Sequence, residues 1–73
     1  MSDNTKNDVF IERFRIVLFR KRMTQKELAQ RLGMPPSQIG AYAVGTRTPS
    51  METLIKIAKV LEVSTDYLLG LSE

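Results

Sequence analysis

The chain is 73 residues long, enough for one domain, and a domain of this size buries only about 60% of the surface that its unfolded chain exposes. It contains neither cysteine nor histidine, so disulfide bonds, thiolate metal sites and imidazole chemistry are excluded. The formal net charge is +3, from 11 Lys and Arg against 8 Asp and Glu. The lack of cysteine fits a reducing, cytoplasmic setting. We predict no cofactor and no small-molecule ligand. The stability of so small a domain should be modest, and association with a second chain would raise it.

The first seven residues are polar, and we expect them to form a flexible tail. The opening segment MSDNTKND lacks the cationic and apolar pattern of a secretion leader. The longest unbroken apolar run, residues 16–19, is far too short to cross a membrane. We therefore expect a single domain over residues 8–73, with no membrane partner.

Cations concentrate in one part of the sequence. Residues 13–31 contain seven of them and one anion, whereas residues 49–73 carry two cations against four anions. The seven cations are Arg13, Arg15, Arg20, Lys21, Arg22, Lys26 and Arg31. A basic patch on a small domain is typical of polyanion binding, and a solvated helix face is the ordinary alternative. The composition leaves both interpretations open.

Apolar periodicity predicts a first helix from about Asp8 to Arg22. On a helical wheel, an arc of about 120° collects a core-facing stripe of Phe10, Ile11, Phe14, Val17 and Leu18. A second apolar set lies on the opposite side of this helix and consists of Val9, Ile16 and Phe19. Two interpretations of this second set stay open: scattered surface residues, or a contact surface for another subunit.

The second helix is marked at both ends. Thr24 and Glu27 have the spacing of a capping box, in which each side chain bonds a backbone amide at the helix start, so the helix begins at Gln25. Gly33 ends it, since glycine readily takes the left-handed conformation that closes a helix. The apolar face of this helix consists of Leu28, Ala29 and Leu32.

A third helix is expected from Pro36 to about Val44. Proline suits the first helical position, because its φ is already helical and the amide hydrogen that it lacks would be unpaired there. Ile39 and Tyr42 point one way along this helix, and Gly45 stops it. The other face carries small residues at spacings of three and four, namely Pro36, Ser37, Gly40 and Ala41.

Two further helices complete the chain. Ser50 caps a fourth, whose apolar residues repeat at helical spacing, and Ser64 caps a short fifth that Gly70 closes. No stretch alternates with period two for long enough to form a strand, and no internal repeat is present. The predicted fold class is therefore all-α, a compact domain of five helices.

The second and third helices, with a glycine turn between them, have the spacing of a helix-turn-helix over about residues 25–44. In this setting the chain resembles the Cro and phage-repressor family, also called Xre-like. The resemblance covers about residues 12–71 and is carried by Thr24-Gln25, Leu28-Ala29, Gly33, Ile39, Gly45, TPS at 48–50, LIKIAKVLEVS at 54–64 and DYLLG at 66–70. It implies a lambda-repressor-like DNA-binding domain whose third helix lies in the major groove.

One departure from the family concerns the core. Relatives commonly pair an Arg in the first helix with a Glu in the third, and their motif places these at Leu18 and Ala43 here. Removing one partner of a buried ion pair is strongly destabilising, whereas replacing both by apolar groups can be neutral or better. We therefore interpret Leu18 and Ala43 as a compensated apolar contact and not as a lost binding site.

A second departure concerns the residues that read bases. Many relatives carry long polar side chains where this chain has Pro36, Ser37, Gly40 and Ala41, yet SQIGA is similar to the Ser-x-Val-Gly-Ala of lambda-type repressors. A serine hydroxyl can bond a base edge, an alanine methyl can pack on a thymine methyl, and glycine lets the helix lie deep in the groove. Pro36 offers only an apolar contact. Gln38 is a further candidate base reader, although its lateral position equally suits a phosphate.

Contacts to the DNA backbone are expected on both sides of the groove. Gln25, at the start of the second helix, resembles the phosphate-binding glutamine of the family. Thr46 and Arg47 follow the third helix and are expected to contact phosphates. Lys26 and Arg22 would add longer-range attraction. An ordinary solvated role stays open for Gln25, Lys26, Arg22 and Arg47.

The resemblance implies a transcriptional regulator, and in particular a repressor that binds double-stranded DNA as a homodimer on a palindromic operator. In relatives the dimer forms through the fifth helix and the loop before it, here about residues 63–71. The candidates in this segment are Val63, Tyr67 and Leu71. The second apolar set of the first helix, Val9, Ile16 and Phe19, is an additional or alternative dimer contact.

Two other classes of function are considered. A protein-interaction module, such as an antirepressor or an antitoxin, would keep the fold without sequence-specific DNA binding, and the small residues of the third helix favour it. An enzyme is not expected, because the carboxylates are scattered and neither histidine nor cysteine is present to assemble an acid-base pair or a metal cluster.

Overall fold

Five helices, in a computed structural model that describes residues 5–72, make up the chain. Their bounds are α1 Thr5–Arg20, α2 Gln25–Leu32, α3 Pro36–Val44, α4 Met51–Leu61 and α5 Thr65–Leu69. No strand occurs within residues 5–72, which confirms the predicted all-α fold. Over the same residues, no helix combines the length and the hydropathy that crossing a membrane requires.

The two ends of α1 differ from the prediction. The helix begins at Thr5 and not at Asp8, so the predicted tail is wrong for residues 5–7, while residues 1–4 lie outside the described residues. A helical turn made of polar residues carries no apolar periodicity, and the sequence pattern therefore does not reveal it. α1 also ends at Arg20, two residues earlier than predicted.

Arg22 explains the early end of α1. Its φ of 55° is left-handed, and the next amide, that of Met23, donates to the Leu18 carbonyl at 3.0 Å. This is the arrangement with which a glycine usually closes a helix. Because an arginine holds the left-handed position, the sequence carries no stop signal there.

The predicted ends of α2, α3 and α5 and the predicted start of α4 are confirmed. The C-terminal end of α4 was not predicted, and Glu62 closes it with a left-handed φ of 60°. Gly33 and Gly45 follow α2 and α3 with φ of 69° and 89°, in the left-handed conformation that closes each helix. The Ser50 and Ser64 hydroxyl oxygens accept backbone amide hydrogens at the starts of α4 and α5. These local signals fix the segment that contains α2, the turn and α3.

One core cluster receives residues from all five helices. Its buried members are Phe10, Phe14, Val17, Leu18, Leu28, Ala29, Ile39, Tyr42, Ala43, Ile57, Ala58, Leu61 and Leu68. The predicted stripe of α1 is buried except for Ile11, which is half-buried and packs against Gly45. Leu18 and Ala43 are only 6% and 1% exposed, and both belong to this apolar core.

Two cations of the basic segment are engaged within the fold. The Arg13 guanidinium lies 4.5 Å from the centre of the Tyr67 ring, and its Nη1 donates to the carbonyl oxygens of Tyr67, at 2.8 Å, and of Ser72. Lys21 Nζ pairs with Glu62 Oε1 at 3.3 Å. Arg13 is half-buried, so the prediction of one exposed cationic surface is wrong for this residue. Both contacts fasten the C-terminal part of the chain to α1.

Candidate nucleic-acid interface

α2 and α3 form a rigid pair with a short turn between them. The turn is held by the Met34 amide, which donates to the Ala29 carbonyl at 2.9 Å. Leu28 and Ala29 on α2 and Ile39 on α3 are buried in the common core. With their apolar faces buried together, the two helices leave one face of α3 open to solvent.

The start of α2 is closed by the predicted capping box. The Glu27 amide donates to Thr24 Oγ1 at 3.0 Å, and the Thr24 amide donates to Glu27 Oε1 at 2.8 Å. The Thr24 backbone amide stabilises the carboxylate and holds the pKa of Glu27 below its ordinary value, and the Thr24 hydroxyl and the Arg31 charge act in the same direction. The first turn of α2 is thereby fixed in place, together with the residues that follow Thr24.

Gln25 lies against α3. Its side chain is exposed at the first position of α2, and its Oε1 is 3.4 Å from the point where a β-carbon on Gly40 would stand. Because Gly40 has no side chain, the Gln25 amide lies close to the backbone of α3 at this position. The residue predicted to bind a phosphate and the residues predicted to read bases thus share one continuous surface.

The open face of α3 contains four of the predicted base-contacting residues. Pro36 and Ser37 are exposed, and Gly40 and Ala41 are half-buried on the same side. Gln38 differs from them, because its Nε2 donates to the Tyr42 hydroxyl at 2.9 Å and its side chain is half-buried. The bond to Tyr42 uses one of the two N–H groups of the Gln38 amide and orients the side chain toward the core side of α3, so Gln38 is the weakest of the five candidates.

Val44 is an exposed residue of α3 that was not among the residues predicted from the sequence. This residue ends α3 and is 65% exposed, although Ile39 and Tyr42 on the same helix are buried. It follows Ser37 by seven residues and Ala41 by three, which places all three on one helix face. The spacing was available in the sequence, but an isolated valine near a helix end does not by itself indicate a contact residue.

The loop after α3 is tied to the helix that precedes it. The Ala41 carbonyl accepts backbone amide hydrogens from Gly45, Thr46 and Arg47, at 2.9, 3.0 and 3.3 Å. The Thr46 hydroxyl also lies 3.4 Å from this carbonyl. Thr46 and Arg47 are exposed beside the C-terminal end of α3, and Lys26 is exposed at the start of α2. Exposed cations therefore lie at the start of α2 and just after α3, while α3 itself carries no charged residue.

One group of predicted dimer contacts lies on α1, and the other lies on α5 and in the residues just before and after it. α1 and α5 pack together. Val63 and Tyr67 are half-buried, and Leu71 is 73% exposed. On α1, Phe19 is 84% exposed and Ile16 half-buried. Val9 is half-buried and contacts the turn after α5, since a β-carbon on Gly70 would lie 2.6 Å from Val9 Cγ1.

A cleft of about 280 Å³ separates the C-terminal half of α1 from the start of α5. Its lining residues are Val17, Arg20, Lys21, Val63, Ser64 and Tyr67. Two predicted dimer contacts, Val63 and Tyr67, thus form one wall of an open and mostly apolar cleft. This cleft lies on helices other than α2 and α3, so the dimer candidates and the base-reading candidates belong to separate surfaces.

The capped α2, the glycine turn and an α3 with one open face define a helix-turn-helix domain. The chain belongs to the helix-turn-helix family whose model, described as "Helix-turn-helix", matches residues 11–68. The family consists of DNA-binding transcription regulators, which are generally not enzymes. The resemblance noted from the sequence is thereby confirmed, and with it the lambda-repressor-like helical fold.

Curated relatives carry names of the same kind. The uncharacterized HTH-type transcriptional regulator YqaE of Bacillus subtilis (strain 168) is 39% identical over 84% of this chain and 53% of its own. The HTH-type transcriptional regulator ImmR of the same strain is 42% identical over 68% of this chain and 39% of its own. The cryptic phage CTXphi transcriptional repressor RstR of Vibrio cholerae serotype O1 (strain ATCC 39315 / El Tor Inaba N16961) is 40% identical over 64% of this chain and 42% of its own. The chain spans about half the length of the curated relatives it matches. No solved structure gives a significant match.

Proposed function

We propose that this chain binds double-stranded DNA in a sequence-specific manner and regulates transcription, most simply as a repressor. The observation that carries the proposal is the contact between Gln25 and Gly40, which joins a phosphate-binding position and a base-reading helix in one surface. The family and the names of the relatives, among them a transcriptional repressor, support the same function. Because such a regulator must reach the DNA that it binds, we propose that the protein is located in the cytoplasm.

In this proposal α3 lies in the major groove and the first turn of α2 lies over one strand. Gln25 and Lys26 then contact phosphates on one side of the groove, and Thr46 and Arg47 contact phosphates on the other side. These contacts set the position of the helix but read no sequence. Because the Thr46 and Arg47 amides are bonded to the Ala41 carbonyl, the phosphate contacts on that side are fixed relative to α3.

Bases are then read by the open face of α3. The Ser37 hydroxyl donates to or accepts from a base edge, and the Ala41 methyl packs on a thymine methyl. Pro36 adds an apolar contact, and Gly40 allows the helix to approach closely. Gln38 takes part through the carbonyl oxygen and the second N–H of its amide, which the bond to Tyr42 does not use.

One domain covers only half of a symmetric site, so we propose that a homodimer binds a palindromic operator. The proposed dimer contact is the segment from Val63 to Leu71, and the exposure of Leu71 supports it. Val9, Ile16 and Phe19 form a second surface on α1. Sedimentation of Phe19→Asp against the parent chain separates the two: an unchanged oligomeric state assigns the dimer to α5 and leaves Phe19 as ordinary surface.

A salt titration of binding to a random duplex tests whether the chain binds DNA at all. Each phosphate that the protein neutralises gives the logarithm of the binding constant a slope of about −0.9 against the logarithm of the salt concentration. Four contacts, from Gln25, Lys26, Thr46 and Arg47, include two cations, and we therefore expect a slope near −2 per domain. A flat titration would reject DNA binding and favour a protein-interaction module.

Substitutions on the two parts of the surface test the roles of its residues. We expect Gln25→Ala to weaken binding to operator and to random duplex alike, because phosphate contacts carry no sequence information. The matched control is Gln30→Ala, in the last turn of the same helix and also exposed. Ser37→Ala and Ala41→Glu should weaken operator binding far more than binding to random DNA. Unchanged operator affinity in both variants would show that α3 does not read bases through this face.

A further inference from the structure

Pro36 places an exposed apolar ring on the first turn of α3. The residue takes the first position of the helix, and Pro35, which is also exposed, is the N-cap before it. A proline at the first helical position starts a helix well, and this is the ordinary explanation of Pro36. Its position relative to the proposed DNA contacts indicates a further role.

Pro36 lies in the part of α3 that a helix-turn-helix presents to DNA, because the N-terminal residues of the recognition helix contact the base edges. It precedes Gly40 by four residues, so the two share one side of the helix. On that side, Gln25 Oε1 is 3.4 Å from the point where a β-carbon on Gly40 would stand. Pro36 therefore lies one turn nearer the helix start than the approach of the proposed phosphate-binding residue.

The chemistry of proline restricts what this position can recognise. Neither Pro35 nor Pro36 has a backbone N–H or a polar side-chain atom. The next amide but one, that of Gln38, donates to the Pro35 carbonyl at 3.0 Å and is engaged within the turn. On the major-groove side of a base pair, the apolar group that a ring can contact is the C5 methyl of thymine. Pro36 can therefore read a base only through such a methyl group.

The ring is held in a fixed direction. Proline locks its own φ, and the helix that carries it is anchored in the core by Ile39 and Tyr42. Ordering a proline side chain costs almost no rotamer entropy. The removal of a methyl group and a ring face from water is therefore not offset by lost side-chain freedom, and it favours a pyrimidine that carries the methyl.

We propose that Pro36 is a specificity-determining residue that reads the C5 methyl group of a pyrimidine. Each half-site then carries thymine or 5-methylcytosine, in preference to unmodified cytosine, opposite the first turn of α3. Methylation of a cytosine at this position therefore raises the affinity of the site. This inference rests on the proposed function and adds to it the chemical group that the start of α3 selects.

Pairs of duplexes that differ by one methyl group provide the test. The starting duplex is a site selected from a random pool by the parent chain, and each thymine of one half-site is replaced in turn by deoxyuridine, which lacks only the methyl. We expect one replacement to lower the affinity of the parent about four-fold, the value of one buried carbon group. At that position, 5-methylcytosine should bind about four-fold more tightly than cytosine. In Pro36→Gly, which has no side chain to contact the methyl, both ratios should fall to about one.

Pro35→Gly is the matched control, because it removes the neighbouring ring from a position outside the helix and should keep both ratios. Each ratio compares two duplexes with the same protein, so it does not depend on the active fraction of a variant. Circular dichroism checks that each variant is folded. If Pro36→Gly is not, Pro36→Ser takes its place, since serine also lacks the apolar ring.

The inference is overturned if no deoxyuridine weakens the parent, if the methyl of 5-methylcytosine has no effect at the position where the thymine methyl does, or if the Pro36 variant keeps both ratios. Loss of both ratios in Pro35→Gly also overturns it, because the start of the helix and not the Pro36 ring is then responsible. In each case a selected site exists and the proposed function stands. If selection enriches no sequence, the proposed function fails and the inference fails with it.

Discussion

Replacing Arg13 by alanine should weaken the packing of α5 on α1. Arg13 stacks on the Tyr67 ring at 4.5 Å and donates hydrogen bonds to the carbonyl oxygens of Tyr67 and Ser72. A hydrogen bond that involves a charged group contributes about 1.5 to 3 kcal/mol, and a cation–π contact at an exposed site about 0.5 to 1 kcal/mol. The Ser72 bond is exposed and contributes little, so we expect Arg13→Ala to lower the free energy of unfolding by about 2 to 4 kcal/mol.

This loss is large for the domain, since 73 residues correspond to a total stability of about 4 to 11 kcal/mol. Arg13→Lys should lose about half as much, because lysine keeps the charge but not the planar group that stacks and donates two bonds. Urea unfolding followed by circular dichroism measures both values, with Arg15→Ala, at an exposed position of the same helix, as the control. If Arg13→Ala and Arg15→Ala agree within about 0.5 kcal/mol, the assignment of Arg13 as the residue that holds α5 is wrong.

Three further predictions concern Gly40, Arg22 and Glu27. Gly40→Ala should raise the free energy of unfolding by about 1 kcal/mol, because alanine favours the helix and its methyl meets only the Gln25 oxygen, at 3.4 Å. The same substitution should weaken operator binding, measured by fluorescence anisotropy. Arg22→Gly should raise the free energy of unfolding by about 1 kcal/mol, because glycine adopts the left-handed φ of 55° without the strain of a side chain. A lower melting temperature for this variant would contradict the prediction. For Glu27, whose pKa is lowered in the folded state, the stabilisation is present above the ordinary pKa of 4.5 and is lost as the pH falls through the lower folded value. Glu27→Gln keeps the capping box but cannot titrate, so the urea midpoint of this variant should fall less than that of the parent as the pH is lowered to about 3. Parallel pH profiles of the two proteins would refute the assignment of this pH dependence to Glu27.

Local signals in the sequence were sufficient to predict the helix-turn-helix. The Thr24–Glu27 box, Pro36 and the glycines after α2 and α3 each act within a few residues, and the structure has the helices where these signals place them. The ends of α1 were missed for the same physical reason. Arg22 closes the helix in a left-handed conformation that arginine rarely adopts, so its residue type does not predict a helix end. The first turn of α1 has no apolar pattern.

Contacts between residues distant in sequence could not be predicted. Arg13 and Tyr67 are 54 positions apart, and only the packing of α5 on α1 brings the guanidinium to the ring and the carbonyl. Composition therefore counted Arg13 as one more exposed cation. The approach of Gln25 to Gly40 likewise depends on how α2 crosses α3 and is invisible in a helical wheel.

The candidate site could be predicted from the sequence only in part. Spacing alone grouped Pro36, Ser37, Gly40 and Ala41 on one face, and the exposure of that face agrees with it. The bond from Gln38 to Tyr42 could have been foreseen from their spacing of four residues, but a choice between a base, a phosphate and a tyrosine required the side-chain geometry. Val44 shares the spacing of this face, and its exposure became visible only in the structure.

Selection of bound sequences from a random duplex pool tests the central claim most directly. If α3 reads bases in each half of a symmetric dimer, the selected sites will contain two inverted half-sites whose centres are about 34 Å, or one helical turn, apart. Ser37→Ala should then select with a different preference within each half-site. A folded chain that enriches no sequence over the starting pool would contradict sequence-specific DNA binding by this domain.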